Sequence, residues 1–185
     1  MRRPPRAVLE VGVGRLQDCR TKLWWGTSTR CDLFEPLPRF YKPLKNITKK
    51  HKNVTVRRIA LWTHDEGVTM YDVGGRSFID GSPHRAGRPA LSASSKEELA
   101  FSAPSALLSQ YDPGDYDVAL IDVESAEWGV LQHMVSRPVL ISLELWQPKR
   151  PDWEHPELAN IVDWMSRNGY REAARLKLDS HFVRN

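Results

Sequence analysis

The chain has little of what would place it outside the ordinary globular class. Among its 185 residues there are two cysteines, Cys19 and Cys31, and they do not form a Cys-x-x-Cys pair. That arithmetic excludes a disulfide framework and a cysteine-built zinc site, and it predicts two reduced thiols. No apolar stretch approaches the roughly 20 residues that cross a bilayer. The first six residues, Met-Arg-Arg-Pro-Pro-Arg, lack the apolar core of a secretory signal, so a soluble, cytoplasmic protein is expected. Without such a signal, the glycosylation patterns Asn46-Ile47-Thr48 and Asn53-Val54-Thr55 carry little meaning. Internal repeats and linker-like stretches are also missing, and the length predicts one domain over 1–185.

Net charge is a modest +4, unevenly placed, with Arg2, Arg3 and Arg6 at the start and Lys45, Lys49, Lys50 and Lys52 further on. Such a cluster suits an anionic substrate or nucleic acid. The lysines have no aromatic residues interleaved with them, as a stacking platform requires, so a solvated helix face is the plainer reading.

Hydrophobic patterning alternates strand and helix. Residues 7–11 read as a short buried strand running into Gly12-Val13-Gly14, and a helix is expected over 15–25. A strand over 31–34 is closed by Glu35-Pro36, and a helix over 39–51 carries Phe40, Leu44 and Ile47 on one side. A third strand is expected over 54–61 and a short added one over 68–73. Residues 74–96 are rich in Gly, Ser, Pro, Arg and His, the composition of a mobile loop. Pro104 is placed to open a helix through Gln110. Residues 118–121 then form a buried strand, and Ser125 precedes a helix built on Ala126, Val130, Leu131 and Met134. A strand over 139–146, a helix from Pro156 to Gly169, and two strands within 175–183 complete the chain. The expected fold is α/β: a single doubly wound, mostly parallel, seven-stranded sheet with helices on both faces and a C-terminal antiparallel hairpin.

The candidate chemistry sits at strand ends. Glu10-Val11-Gly12-Val13-Gly14 closes the first strand, and its glycines let a ligand approach the backbone. Glu35, 21 positions after Gly14, is placed to accept both hydroxyls of a ribose. That spacing serves dinucleotide dehydrogenases and methyltransferases equally, although the third glycine of the dinucleotide fingerprint is replaced by Gln17. Asp122, Glu124 and Glu144 end later strands, as candidate bases or ligands of a substrate hydroxyl, with His84 as a further candidate. Three such carboxylates suit Mg²⁺ as well, but strand-end carboxylates also serve as helix caps, and no metal is expected.

Asp122-Val123-Glu124-Ser125-Ala126-Glu127 resembles the Asp-Val-Glu-Gly-Ala-Glu motif of the FkbM family, S-adenosylmethionine-dependent methyltransferases acting mainly on hydroxyl groups; Ser125 stands where the family has glycine. Leu33-Phe34-Glu35-Pro36 resembles its Phe-Glu-Pro motif. Asn53-Val54-Thr55-Val56 with Ala60-Leu61, Leu143-Glu144 and Phe182-Val183-Arg184 are similar to later segments. The resemblance implies a class I methyltransferase fold. It also implies that Glu10, Gly12 and Gly14 contact S-adenosylmethionine, Glu35 and Pro36 its ribose, and Ala60 and Leu61 its adenine, with Asp122 beside them. Trp62 is as suited to the core as to the adenine face. The first motif departs from the family at Glu10 and Arg15, where Asp and a different glycine pattern are usual. O-methylation of a sugar or another small metabolite is the expected activity. RNA methylation, or a non-catalytic nucleotide- or partner-binding module, are the alternatives.

Overall fold

The structure is a computed structural model that describes residues 3–73, 77–83, 92–146 and 154–185. Along the chain, β1 (Ala7–Val11), β2 (Arg30–Phe34) and α1 (Pro38–Thr48) are followed by β3 (Val54–Arg57), β4 (Ala60–Leu61), β5 (Val68–Tyr71) and β6 (Phe78–Ile79). Then come α2 (Ala93–Leu99), β7 (Ala100–Ala103), β8 (Ser105–Ala106), β9 (Val118–Ile121), α3 (Glu127–Leu131) and β10 (Leu140–Glu144). The chain closes with α4 (Leu158–Arg167), β11 (Tyr170–Leu176) and β12 (Asp179–Arg184).

Seven strands form the main sheet in the order β11-β12-β10-β9-β1-β2-β3. Six run in one direction, while β12 alone is reversed, pairing antiparallel with both β10 and β11 and giving the expected closing hairpin. All five residues of β1 are buried, as a strand covered on both faces requires. Its alternate residues divide the core: Ala7, Leu9 and Val11 pack with α3 and α4 residues such as Val130, Leu131, Ile161 and Met165. On the opposite face, Leu33 and Cys31 of β2 pack with Leu44 of α1. Both cysteines are free and buried, and burial pushes each thiol up to about 12, out of the reactive range.

Several expected elements differ. Residues 15–25 form two short 3₁₀ segments, Leu16–Asp18 and Arg20–Trp24, because the Glu10 carboxylate draws in the N–H groups of Arg20 (2.8 Å) and Thr21 (3.0 Å). The third strand stops at Arg57; Ala60–Leu61 instead pairs with β8 in a separate two-stranded sheet. Where Pro104 was expected to open a helix, it joins β7 to β8, and its carbonyl accepts from Ala60 N–H. The helix after Ser125 is five residues long. The closing hairpin turns at residues 177–178, inside the alternating stretch, with Lys177 at φ 58°.

Candidate functional site

The strand order reverses direction around β1, whose neighbours are β2 and β9. Open α/β sheets form their ligand crevice at the carboxyl ends of strands at such a point. A cavity of about 600 Å³ lies there, lined by the ends of β1, β2, β9 and β10 and by β4 and β6.

Gly12 opens the turn after β1 at φ 76°, and a Cβ added to it would lie 1.8 Å from the Asp122 carbonyl oxygen. Two backbone segments therefore meet with no room for a side chain. Gly14, at φ 64°, has no described residue within 4 Å of such a Cβ and lines the cavity. Its N–H donates to Glu35 Oε2 at 2.7 Å, and Leu37 N–H donates to Oε1 at 2.8 Å. Two of the carboxylate's four acceptor positions are thus used, leaving two for neighbouring hydroxyls. Burial pushes Glu35 up to about 7, against the opposing pull of the Gly14 and Leu37 N–H groups and of Arg39.

On the β9–β10 side of the cavity, Asp122 and Glu144 close adjacent parallel strands, with carboxyl oxygens within 4.8 Å of each other. Burial, then the Glu144 partnership, holds Asp122 well above the ordinary carboxyl range, with Arg20 pulling the other way. The Arg20 guanidinium lies 3.7 Å from Asp122 and 3.5 Å from Asp179. One carboxyl oxygen from each of Asp122, Glu124 and Glu144 falls within 4.8 Å of the others, a donor set that a hard divalent cation accepts.

The loop carrying these groups is held from behind. Val123 N–H donates to Glu127 Oε1 (3.1 Å), and Glu127 Oε2 meets His155 Nε2 at 2.8 Å. Glu157 N–H donates to His155 Nδ1 (3.0 Å), which leaves Nε2 as the proton-bearing nitrogen facing Glu127. Both side chains are buried. Glu124 (φ 55°) and Ser125 (φ 76°) both take the left-handed backbone that favours glycine. Ser125 is buried and its Oγ has no hydrogen-bond partner among the described residues.

Of the residues singled out in the sequence, Gly12, Gly14, Glu35, Pro36, Ala60, Leu61, Asp122, Glu124 and Glu144 all line this one cavity. Glu10 does not. Its carboxylate accepts from Arg20 and Thr21 N–H groups and from the Cys19 thiol, which makes it an anchor for the 3₁₀ segments. Trp62 also stays out of the lining and packs where Gly129 has no side chain. His84, with Arg76, Arg85 and Arg88 of the loop, lies outside the described residues. The sequence reading missed Phe40, Met70, Ser77, Phe78 and Leu178 in the lining, and Arg20 and His155 behind it. Of these, Arg20 alone left a local signal, as a cation just after the glycine turn.

The Methyltransferase FkbM domain family matches residues 22–172, and the chain belongs to that family. A search of curated proteins finds no significant relative. Among solved structures, the YcgJ protein of Bacillus subtilis aligns with a TM-score of 0.50 at 9% identity, covering 93% of this chain and 65% of its own. The methyltransferase domain of bacterial CtHen1 gives 0.49 at 10% identity, covering 97% and 89%. A SAM-dependent methyltransferase of Aquifex aeolicus gives 0.44 at 12%, covering 96% and 79%.

Proposed function

We propose that this methyltransferase moves the methyl group of S-adenosylmethionine to a hydroxyl oxygen of a sugar or another small metabolite. The observation that carries the reading is the division of one cavity: a glycine turn with a half-used buried carboxylate, Glu35, on the β1–β2 side, and the close carboxyl pair Asp122–Glu144 on the β9–β10 side.

The β1–β2 side fits the nucleoside part of the cofactor. Gly12 and Gly14 offer bare backbone, Glu35 keeps two acceptor positions for the ribose hydroxyls, and Ala60, Leu61 and Pro36 supply a flat apolar surround. When bound, the cofactor supplies a methyl carbon made electrophilic by its attachment to a sulfonium. The chain's own residues align the acceptor and manage its proton. Asp122 or Glu144, whichever is ionised, would accept the acceptor's hydroxyl proton as its oxygen takes the methyl group, the sulfonium leaving as a neutral thioether. A carboxyl pushed upward by burial is a better base near neutral pH than an ordinary one. Glu124 adds an acceptor for a second substrate hydroxyl.

Incubation with methyl-labelled S-adenosylmethionine and a panel of polyhydroxylated acceptors tests this. The expected product carries the label as an ether, stable to mild alkali. Label confined to amines, or to alkali-labile esters, overturns hydroxyl transfer.

A further inference from the structure

The positive charge of this protein is carried by one flank. Between residues 36 and 64 there are eight Lys and Arg and no Asp or Glu, leaving 19 cations against 23 acids for the rest of the chain. The flank consists of α1, the edge strand β3 and the connections at their ends. Two of the eight are paired, Arg39 with Asp72 and Arg57 with Asp32, each at 2.7 Å. The other six, Lys42, Lys45, Lys49, Lys50, Lys52 and Arg58, are exposed, and none forms an ion pair with a described residue.

Lys42, Lys45 and Lys49 recur every three or four residues, so they stand along one face of α1 over about 10 Å of its axis. Lys50 and Lys52 continue beyond its end. There the chain brings Trp25 against His51, ring centroids 5.7 Å apart and both rings partly exposed. The aromatic neighbours that the linear sequence withholds from the lysines are thus supplied in space, from 26 residues upstream.

The composition of the flank decides among polyanions. Protein interfaces are depleted in lysine, and five of these six cations are lysine. A helix that binds a lipid surface turns a broad apolar face outward. On α1, Leu44 and Thr48 face inward, and among its exposed residues the one large hydrophobic is Ile47, at 39%. Point charges in a row with aromatic rings at one end are the means by which single strands are held, phosphates on the cations and bases on the rings. We infer that the α1–β3 flank is a docking surface for single-stranded RNA, the polyanion that presents phosphates and unpaired bases together. Pro36, Leu37, Phe40 and Ile59 of the same segment line the cavity, so a strand on the flank passes its mouth. The docking surface does not depend on which hydroxyl is methylated.

Fluorescence anisotropy with an end-labelled oligouridylate about 20 nucleotides long, titrated over roughly 50 to 300 mM KCl, tests the assignment. Two variants are compared with the unmutated protein: Lys45→Glu with Lys49→Glu and Lys52→Glu, and a control in which exposed Arg3, Arg171 and Lys177 become Glu. Thermal melting and S-adenosylhomocysteine titration confirm that each is folded with its cavity intact. Binding is expected with a log–log salt slope near −0.7 per phosphate engaged, about −3 for four contacts. The flank variant should lose about tenfold or more in affinity and the control less than about threefold. Absence of RNA binding at the lowest salt, equal loss in both variants, or tighter binding of phosphatidylserine vesicles or polyglutamate than of RNA overturns the inference. None of those outcomes bears on cofactor binding, which the titration reads separately.

Discussion

Asp122 and Glu144 stand at the carboxyl ends of the adjacent parallel strands β9 and β10, with carboxyl oxygens within 4.8 Å of each other. Two carboxyls so close repel each other when both are ionised, and with burial this holds Asp122 well above the ordinary carboxyl range. Asp122→Asn or Glu144→Gln removes a carboxylate base while keeping the shape, and turnover on a verified acceptor should fall by about a hundredfold or more. Chelation separates this mechanism from a cation at Asp122, Glu124 and Glu144: a direct base predicts unchanged turnover in excess EDTA, and loss restored by Mg²⁺ reassigns the three carboxylates as its ligands.

Glu35 makes both stability and cofactor binding depend on pH. Burial raises it from the ordinary 4.5 to about 7 in the folded state, so between those values the folded protein holds a proton that the unfolded chain has released. Its contribution is full below about 4.5 and is lost as pH rises through about 7, a change of about 3 kcal/mol. The Glu35→Gln variant should lack that component when urea unfolding is followed across the window. Ribose hydroxyls need the ionised carboxylate, so S-adenosylhomocysteine affinity should run the opposite way and rise toward alkaline pH. A flat affinity profile between pH about 6 and 8 separates Glu35 from the ligand.

Gly12 and Gly14 differ in what surrounds them, and alanine should distinguish them. At Gly12 the new Cβ meets the Asp122 backbone, which cannot step aside, on top of a left-handed φ. A loss of about 2–5 kcal/mol is expected. Gly14→Ala meets open space and carries only the backbone strain, about 1–2 kcal/mol. It should fold, and lose cofactor affinity because the methyl projects where ligand would lie. Equal melting temperatures for the two variants contradict this account of the turn.

Ser125→Gly should stabilise the protein. The substitution relieves the strain of a left-handed serine at φ 76° and removes a buried hydroxyl that has no partner among the described residues. Glycine's greater chain entropy offsets part of the gain. The net is about 1 kcal/mol, seen as a melting temperature roughly 2–4 °C higher. A lower melting temperature means the Ser125 hydroxyl has a role that its surroundings do not show.

The main sheet was legible because β1, β9 and β10 are short apolar runs ending in glycine or acid, a local pattern that survives folding. The site's floor was legible for the same reason: Gly12, Glu35, Asp122 and Glu144 each close such a run. What escaped depends on partners distant in sequence. The two-residue β4 exists because Ala60 pairs with Ser105, and no local periodicity announces a strand that short. Glu10 reads as a pocket residue until the backbone of Arg20 and Thr21 is seen to cap it, which also turns the expected helix over 15–25 into 3₁₀ segments. His155 carries no motif, and its meaning comes from Glu127, 28 residues earlier.

The central claim is that the cofactor and the acceptor occupy opposite ends of one cavity, and calorimetric titration of S-adenosylhomocysteine into the unmutated protein, Glu35→Ala and Asp122→Asn tests it most directly. Glu35→Ala should weaken binding by about tenfold to a hundredfold, through loss of charge-assisted hydrogen bonds. Asp122→Asn should stay within about threefold, because its carboxyl serves the acceptor. Unchanged affinity in a folded Glu35→Ala, or tighter binding of NAD than of S-adenosylhomocysteine by the unmutated protein, contradicts the account.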